Sequence, residues 1–475
     1  MAFFDLPIDQ LQDCGRPSSG QTTVETFWSA TLDVDLSRPL EPRIVRLETP
    51  LRTLDVYDVS WVGYSGQRVQ AWLRLPAGAT EPLPTVLQYC GYSGGRGYPF
   101  VDSLYASAGY AHFVLESRAQ GWRTPSRTPT TPDLDAAAGD MHFPGVMTLG
   151  IQDPARYYYR RLYVDAVRML QLAAQDPRVD ATRIAALGTS QGGGLSIAVA
   201  GLAAMAGLPL AAALPNVPFL CHFRRAVGLT DAHPYAEIAQ YLAAHPADET
   251  QAFITLSYVD GANLGAYATV PALFSTAGMD QICPPSTVYA AYHAWGHEDK
   301  AITYYPWNGH EGGGDHHTWH TLQWLAERFG QRSGPPDGHW RREHTTLAHD
   351  SQGTGQRDPG LERTILAGGT DAEHDLVRLD DALVVEAGEG ERVSVQLHVD
   401  LGRLPRVERH LGVRDQLRST VTCRSGWPSL SLCCRPVRAT HGSSAGRKLS
   451  RRPSWIAVLR LSAPTTRLGF CKFPA

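Results

Sequence analysis

Between residues 43 and 75 apolar and polar positions alternate. The runs Asp55-Val56-Tyr57-Asp58-Val59-Ser60-Trp61 and Arg68-Val69-Gln70-Ala71-Trp72-Leu73-Arg74-Leu75 flank Gly63-Tyr64-Ser65-Gly66, which predicts an antiparallel hairpin with one face buried. After Pro82 and Pro84 the pattern changes to short unbroken apolar runs at 85–89, 111–115, 183–187, 211–214, 272–276 and 302–305. Helical periodicity falls between them, at about 100–108, 157–175, 191–205, 286–295 and 317–329. Continuous apolar strands alternating with helices predict an α/β fold: a mostly parallel sheet with helices on both faces. Residues 9–33 read as short amphipathic helices on the outside of that fold. Residues 216–268 break the alternation and are expected to form an insertion, over a pocket or at a subunit contact. The alternation ends near Phe329-Gly330. A polar stretch with Gly and paired Pro follows at 331–364 and reads as a linker. Residues 375–401 alternate enough for a hairpin, and no steady periodicity continues after 416. The expected organisation is one domain over 1–330, then a C-terminal extension of unknown fold over 331–475.

Composition changes this picture little. The 475 residues are 43% hydrophobic and 19% charged, the balance of a globular protein with a sizeable core. The amino-terminal residues lack the basic segment and apolar run of a signal peptide, and no 18-residue apolar stretch appears later. A cytoplasmic location without membrane association is expected. The eight cysteines show no CxxC spacing and read as reduced thiols. The net charge of −4 conceals an asymmetry: residues 416–475 hold 11 Lys/Arg and no Asp or Glu, while residues 1–415 carry 32 basic against 47 acidic groups. The arginine-rich cationic set resembles base-composition bias more than a phosphate-binding surface, so no nucleic-acid partner is expected. A poorly ordered extension is favoured over a basic binding arm.

The chemistry gathers around Gly188-Thr189-Ser190-Gln191-Gly192-Gly193-Gly194. The pattern G-x-S-x-G recurs at 91–95 and 442–446, so the motif alone decides nothing. Only the copy at Ser190 follows an apolar strand-like run and leads straight into an apolar helix. This is the context of a nucleophile elbow, in which a serine is exposed on a tight strand-to-helix turn. Such a serine needs a base, and the base needs an acid to hold its tautomer. Asp280 follows the run at 272–276, and His310 follows the run at 302–305. The order Ser, Asp, His is that of α/β-hydrolases. Asp231 and Asp315 are weaker candidates for the acid, since neither follows a strand. His316, His317 and His320, with Glu311 and Asp315 near, invite a metal reading, and His316 and His320 share the i,i+4 spacing of a helical zinc pair, but no H-E-x-x-H motif is present and no metal or other cofactor is expected. One oxyanion-hole amide falls on Gln191, after the nucleophile. The loop at Gly91-Tyr92 is placed to offer the second.

With these residues in view, the chain over about 1–329 resembles the acetyl xylan esterase/cephalosporin-C deacetylase family of carbohydrate esterases. The resemblance rests on residues 91–97, 150–154, 157–161, 188–194, 218–225, 233–237, 280–287 and 310–313, in matching order and spacing. It implies an α/β-hydrolase fold, a Ser190/Asp280/His310 triad, and an oxyanion hole from Tyr92 and Gln191. It also implies deacetylation of small substrates such as acetylated xylo-oligosaccharides and cephalosporin C by a cytoplasmic homo-hexamer. The family signature R-G-Q stands here as Arg118-Ala119-Gln120, and its H-E pair as His310-Glu311. The missing glycine predicts altered backbone geometry at 119 and a loss of stability before any loss of chemistry. Two other readings stay open: hydrolysis of another short-chain ester, a thioester or a peptide on the same fold, or a catalytically impaired protein that binds through its basic tail.

Overall fold

The computed structural model describes residues 3–14, 21–123, 131–134 and 145–331, together with strand segments between 385 and 473. The chain divides into two units, Met1–Thr354 and Gly355–Ala475. The expected linker at 331–364, apart from Gln331, lies outside the described residues.

The first unit is built on a nine-stranded sheet. Its strands are β1 (Arg43–Arg46), β2 (Leu54–Val62), β3 (Arg68–Pro76), β4 (Leu83–Tyr89), β5 (Ala111–Leu115), β6 (Val179–Thr189), β7 (Ala212–Asn216), β8 (Ala272–Ala277) and β9 (Lys300–Tyr305). They lie in the order β1-β2-β3-β5-β4-β6-β7-β8-β9. The first three strands and β5 pair antiparallel, and every pairing from β5 onward is parallel. The sequence pattern explains the division. β2 alternates between buried and partly exposed positions, as a strand with one wet face should, whereas β5 and β8 are buried at every position. At the edge, β1 is exposed throughout and carries Arg43 and Arg46, charges that discourage pairing with another chain.

The helices are α1 (Ile8–Leu11), α2 (Gln21–Leu36), α3 (Leu104–Ser107), α4 (Tyr158–Gln175), α5 (Gln191–Ala206), α6 (Phe223–Leu229), α7 (Tyr235–Ala244), α8 (Glu249–Ser257), α9 (Gly261–Leu264), α10 (Pro285–Ala294) and α11 (Gly314–Arg328). α5 is apolar all round, because it is enclosed between the sheet, α4 and α9. Helices α6 to α9 form the expected insertion between β7 and β8. Two expectations need correction. α2 is not an outer ornament: Val24, Trp28 and Leu32 are buried, and Trp28 stacks on Tyr163 while donating through Nε1 to the Tyr258 carbonyl at 2.7 Å. Truncating a buried Trp costs about 3–5 kcal/mol, a large part of a domain's stability, so α2 is a wall of the core. The helix expected at 100–108 is only the single turn of α3, because the chain before it is spent on a turn, with the Val101 N–H on the Tyr98 carbonyl at 3.0 Å and positive φ at Gly97 and Asp102.

In the second unit β10 (Val385–Gly388) and β11 (Arg392–Val395) form an antiparallel pair, within the hairpin expected at 375–401. Past 416, where no periodicity was expected, β12 (Arg418–Val421), β13 (Leu430–Pro436), β14 (Trp455–Leu461) and β15 (Gly469–Phe473) pair antiparallel in sequence order. Among the described residues no helix is long and apolar enough to cross a membrane.

Candidate active site

The centre of the sheet fixes Ser190. At its carboxyl end β6 is paired on both sides, Gly188 opposite Tyr89 of β4 and Thr189 opposite Asn216 of β7. The next residue therefore emerges between two strand ends. Ser190 has φ 61° and ψ −121°, a conformation that costs a non-glycine residue about 1–3 kcal/mol. Three backbone hydrogen bonds hold it: its N–H donates to the Asn216 carbonyl at 3.0 Å, and its carbonyl accepts from Gly194 at 3.0 Å and Phe219 at 2.9 Å. A Cβ on Gly188 would lie 2.3 Å from the Gly192 carbonyl carbon, and one on Gly192 would lie 2.0 Å from the Tyr89 carbonyl oxygen. The two glycines of the motif are therefore dictated by contact, and the serine between them stays 8% exposed at the start of α5.

The loop after β4 runs beside this turn. A Cβ on Gly91 would sit 3.9 Å from the Ser190 Cβ. The loop is a tight turn, with the Gly94 N–H donating to the Gly91 carbonyl at 2.9 Å. Gln120 joins it to the start of α5: its Oε1 accepts from the Ser93 N–H at 2.8 Å, and its Nε2 donates to Gln191 Oε1 at 2.8 Å. Gln191 Nε2 in turn donates to the Cys90 carbonyl at 3.2 Å, and Tyr159 donates to Gln191 Oε1 at 2.9 Å. The two amides expected to face an oxyanion, those of Tyr92 and Gln191, thus sit on segments locked together by side-chain amides.

Asp280 and His310 follow adjacent strands, β8 and β9, and their loops are laced by the Gly278 N–H to the Tyr305 carbonyl (2.9 Å) and the Met279 N–H to the Asn308 carbonyl (3.0 Å). Asp280 is fully buried. Its Oδ1 accepts from the Ile282 and Cys283 N–H groups at 2.8 and 2.9 Å, and its Oδ2 lies 2.9 Å from His310 Nδ1. A carboxylate only accepts, so Nδ1 carries the proton and Nε2 is left as a base. The His310 side chain keeps 28% of its surface exposed. Cys283 completes the group: its sulfur lies within 4.8 Å of ligand-type atoms of both Asp280 and His310. Burial, and then the Asp280 charge, push this thiol well above its usual value, which keeps it a neutral neighbour rather than a rival nucleophile.

The other expected residues brace these loops. Glu311 accepts from Asn308 Nδ2 at 2.9 Å and from the Gly309 N–H at 3.1 Å, and the bond from Asn308 first of all holds its carboxyl below the usual range. His317, one of the histidines that suggested a metal, places Nε2 2.9 Å from Asn216 Oδ1 and Nδ1 3.2 Å from the Tyr305 hydroxyl, and burial lowers its pKa to about 3. Arg118 is fully buried in a bidentate pair with Asp165 (2.6 and 2.9 Å) and reaches Asp133 at 3.1 Å; Arg161 holds the other side of Asp133. Sequence reasoning missed these acids, which lie 15 and 47 positions from Arg118. A weak signal for Asp165 was its charge amid the apolar residues of α4.

Ala119 keeps the left-handed backbone that a glycine would favour, with φ 53°, and its N–H donates to the Thr131 carbonyl at 2.9 Å. An alanine in this region of φ is strained. A left-handed alanine costs about 1–2 kcal/mol, partly offset by the greater freedom of glycine in the unfolded chain. Ala119→Gly is expected to raise Tm by about 1–3 °C in a thermal melt, and an unchanged or lower Tm would show that the position is unstrained.

This sheet, with a serine on the elbow after its central strand and an acid–imidazole pair on the next loops, defines an α/β-hydrolase. A family model for acetyl xylan esterases (AXE1) matches residues 1–328. The chain belongs to the acetyl xylan esterase family. It is 36% identical to an acetyl xylan esterase from Paenibacillus sp. R4, with a TM-score of 0.61 over 68% of this chain and 99% of that one. It is 26% identical to acetyl xylan esterase 1 from Thermoanaerobacterium sp. JW/SL YS485, with a TM-score of 0.60 over 69% and 100%. Acetyl esterase Axe7A from Xylanibacter ruminicola is 25% identical over 277 residues, 57% of this chain and 59% of that protein's own length.

Proposed function

We propose that the protein is a serine esterase that removes acetyl groups from small acetylated carbohydrates, with the acetyl ester of cephalosporin C as a further substrate. In this reading Ser190 Oγ attacks the acetyl carbonyl carbon while His310 Nε2 takes its proton. The oxyanion is met by the N–H groups of Tyr92 and Gln191, donors that cost no reorganisation because Gln120 has already fixed their segments. The intermediate collapses as His310 returns the proton to the departing sugar oxygen, leaving acetyl-Ser190. Water, deprotonated by the same imidazole, then releases acetate and restores the serine. Asp280 stabilises the imidazolium throughout.

The observation that carries this reading is the buried Asp280 carboxylate, set on His310 Nδ1 at 2.9 Å beside a serine held in a strained turn. The test is a panel of p-nitrophenyl esters of increasing acyl length, with acetanilides alongside. Acetate should be the best acyl group, with a steep fall beyond short chains, and Ser190→Ala should lower kcat by about 10⁶. Full activity in that variant would assign the nucleophile elsewhere. Preference for the anilides would move the reading to peptide-like bonds.

A further inference from the structure

Tyr92 sends its side chain from the β4 loop toward the inserted helices. Its hydroxyl donates to Glu237 Oε1 at 2.6 Å, a short charge-assisted bond across 145 positions of sequence. Glu237 lies in the first turn of α7, within the insertion. Its second oxygen accepts from the Met147 N–H at 3.4 Å, and the Tyr92 hydroxyl itself accepts from the Gly145 N–H at 3.4 Å. The ring is flanked edge-on by Trp122 at 5.5 Å and Phe219 at 6.5 Å, and Phe219 is the residue whose N–H holds the Ser190 carbonyl. Gln120 pins the loop at Ser93, the residue after Tyr92, Gln191 Nε2 holds the Cys90 carbonyl before it, and the Gly91 carbonyl accepts from the Gly94 N–H.

We propose that Glu237 is a positioning residue: through the Tyr92 hydroxyl it fixes the rotation of the Tyr92 peptide, so that the inserted helix α7 sets one of the two oxyanion amides. This rests on the esterase reading above only for its catalytic consequence. The mechanical statement stands alone. The bonds at Cys90, Gly91 and Ser93 hold the loop backbone on either side of Tyr92, and the Tyr92 Cα between them takes its remaining restraint from its own side chain. Anchoring the far end of a long aromatic side chain narrows the residual motion of that Cα, since the ring cannot swing between Trp122 and Phe219. An oxyanion donor displaced by a fraction of an ångström loses much of its worth, because its benefit depends on being aimed before charge develops.

The experiment uses the full chain with Glu237→Ala, Glu237→Gln, Tyr92→Phe and the double variant Tyr92→Phe/Glu237→Ala. On p-nitrophenyl acetate, Glu237→Ala and Tyr92→Phe should each lower kcat about tenfold with KM within about twofold. The double variant should be no worse than either single one, and Glu237→Gln, which keeps an acceptor for the hydroxyl, should recover most of the rate. Hydrogen exchange measured by mass spectrometry supplies the readout independent of activity. Amides at 91–95 should exchange faster in both single variants, and those of β6 should not change. Additive losses, a KM effect in place of a kcat effect, or unchanged exchange at 91–95 would overturn the proposal. If exchange responds as expected while the wild type shows no hydrolysis dependent on Ser190, the latch stands and the esterase reading falls.

Discussion

Asp280→Asn is expected to lower kcat for ester hydrolysis by about 10⁴ while the protein stays folded. The reason lies in how the carboxylate is divided. Oδ1 accepts two backbone N–H groups, from Ile282 and Cys283, and Oδ2 is the nearer oxygen to His310 Nδ1, at 2.9 Å against 3.2 Å for Oδ1. An asparagine has one oxygen, and two fixed donors claim it. Its NH₂ group must then point at the imidazole. A donor at that place forces His310 to accept at Nδ1 and to carry its proton on Nε2. That is the tautomer that cannot take a proton from Ser190. Circular dichroism and Tm should stay near the wild type, because both backbone donors keep their acceptor, and kcat should collapse. A variant with wild-type kcat would show that Asp280 does not set the tautomer.

Arg118→Met is expected to destabilise the first unit by about 3–5 kcal/mol, read from the urea midpoint. Arg118 and Arg161 against Asp133 and Asp165 form a balanced buried group of two cations and two anions. Burial works against the Arg118 charge, but Asp165 and Asp133 more than offset it and hold the guanidinium above its usual pKa. Methionine fills much the same volume, so the change isolates charge from packing. It leaves Asp165 with only the Tyr64 N–H, at 2.9 Å, and a carboxylate without a cation in a dry site. The Tyr158 hydroxyl, which donates to the Arg118 carbonyl at 2.6 Å and accepts from Gln120, carries the disturbance toward the oxyanion loop. A loss below about 1 kcal/mol would mean that the pair is replaceable by apolar contact at no cost.

The sheet was legible because its strands are of two chemical kinds. β2 has a wet face and alternates; β5, β8 and the second half of β6 are enclosed and do not. The site was legible because each candidate follows an apolar run, and the strand ends are where side chains reach open space. Contact across long spans was hidden. α2 carries large apolar residues at 24, 27, 28, 32, 34 and 36 among Thr, Glu and Asp, an amphipathic pattern that does not show how deeply the helix is buried, and its partners Tyr163 and Tyr258 lie far along the chain. The last helix begins at Gly314, earlier than the periodicity suggested. Gly312, Gly313 and Gly314 all have positive φ and read as a break, yet the third of them opens α11. Glu237 belongs to a stretch that carried the family resemblance, but nothing in its spacing points to Tyr92.

Ser190, Asp280 and His310 follow three different strands, and His310 comes 120 residues after Ser190. At a synthesis rate of roughly 5–20 residues per second, the serine leaves the ribosome on the order of ten seconds before its base. During that interval β9 does not exist and the serine has no proton acceptor. On the proposed triad the nascent chain is chemically silent, and hydrolysis is expected to begin only when β9 docks beside β8 at the margin of the sheet.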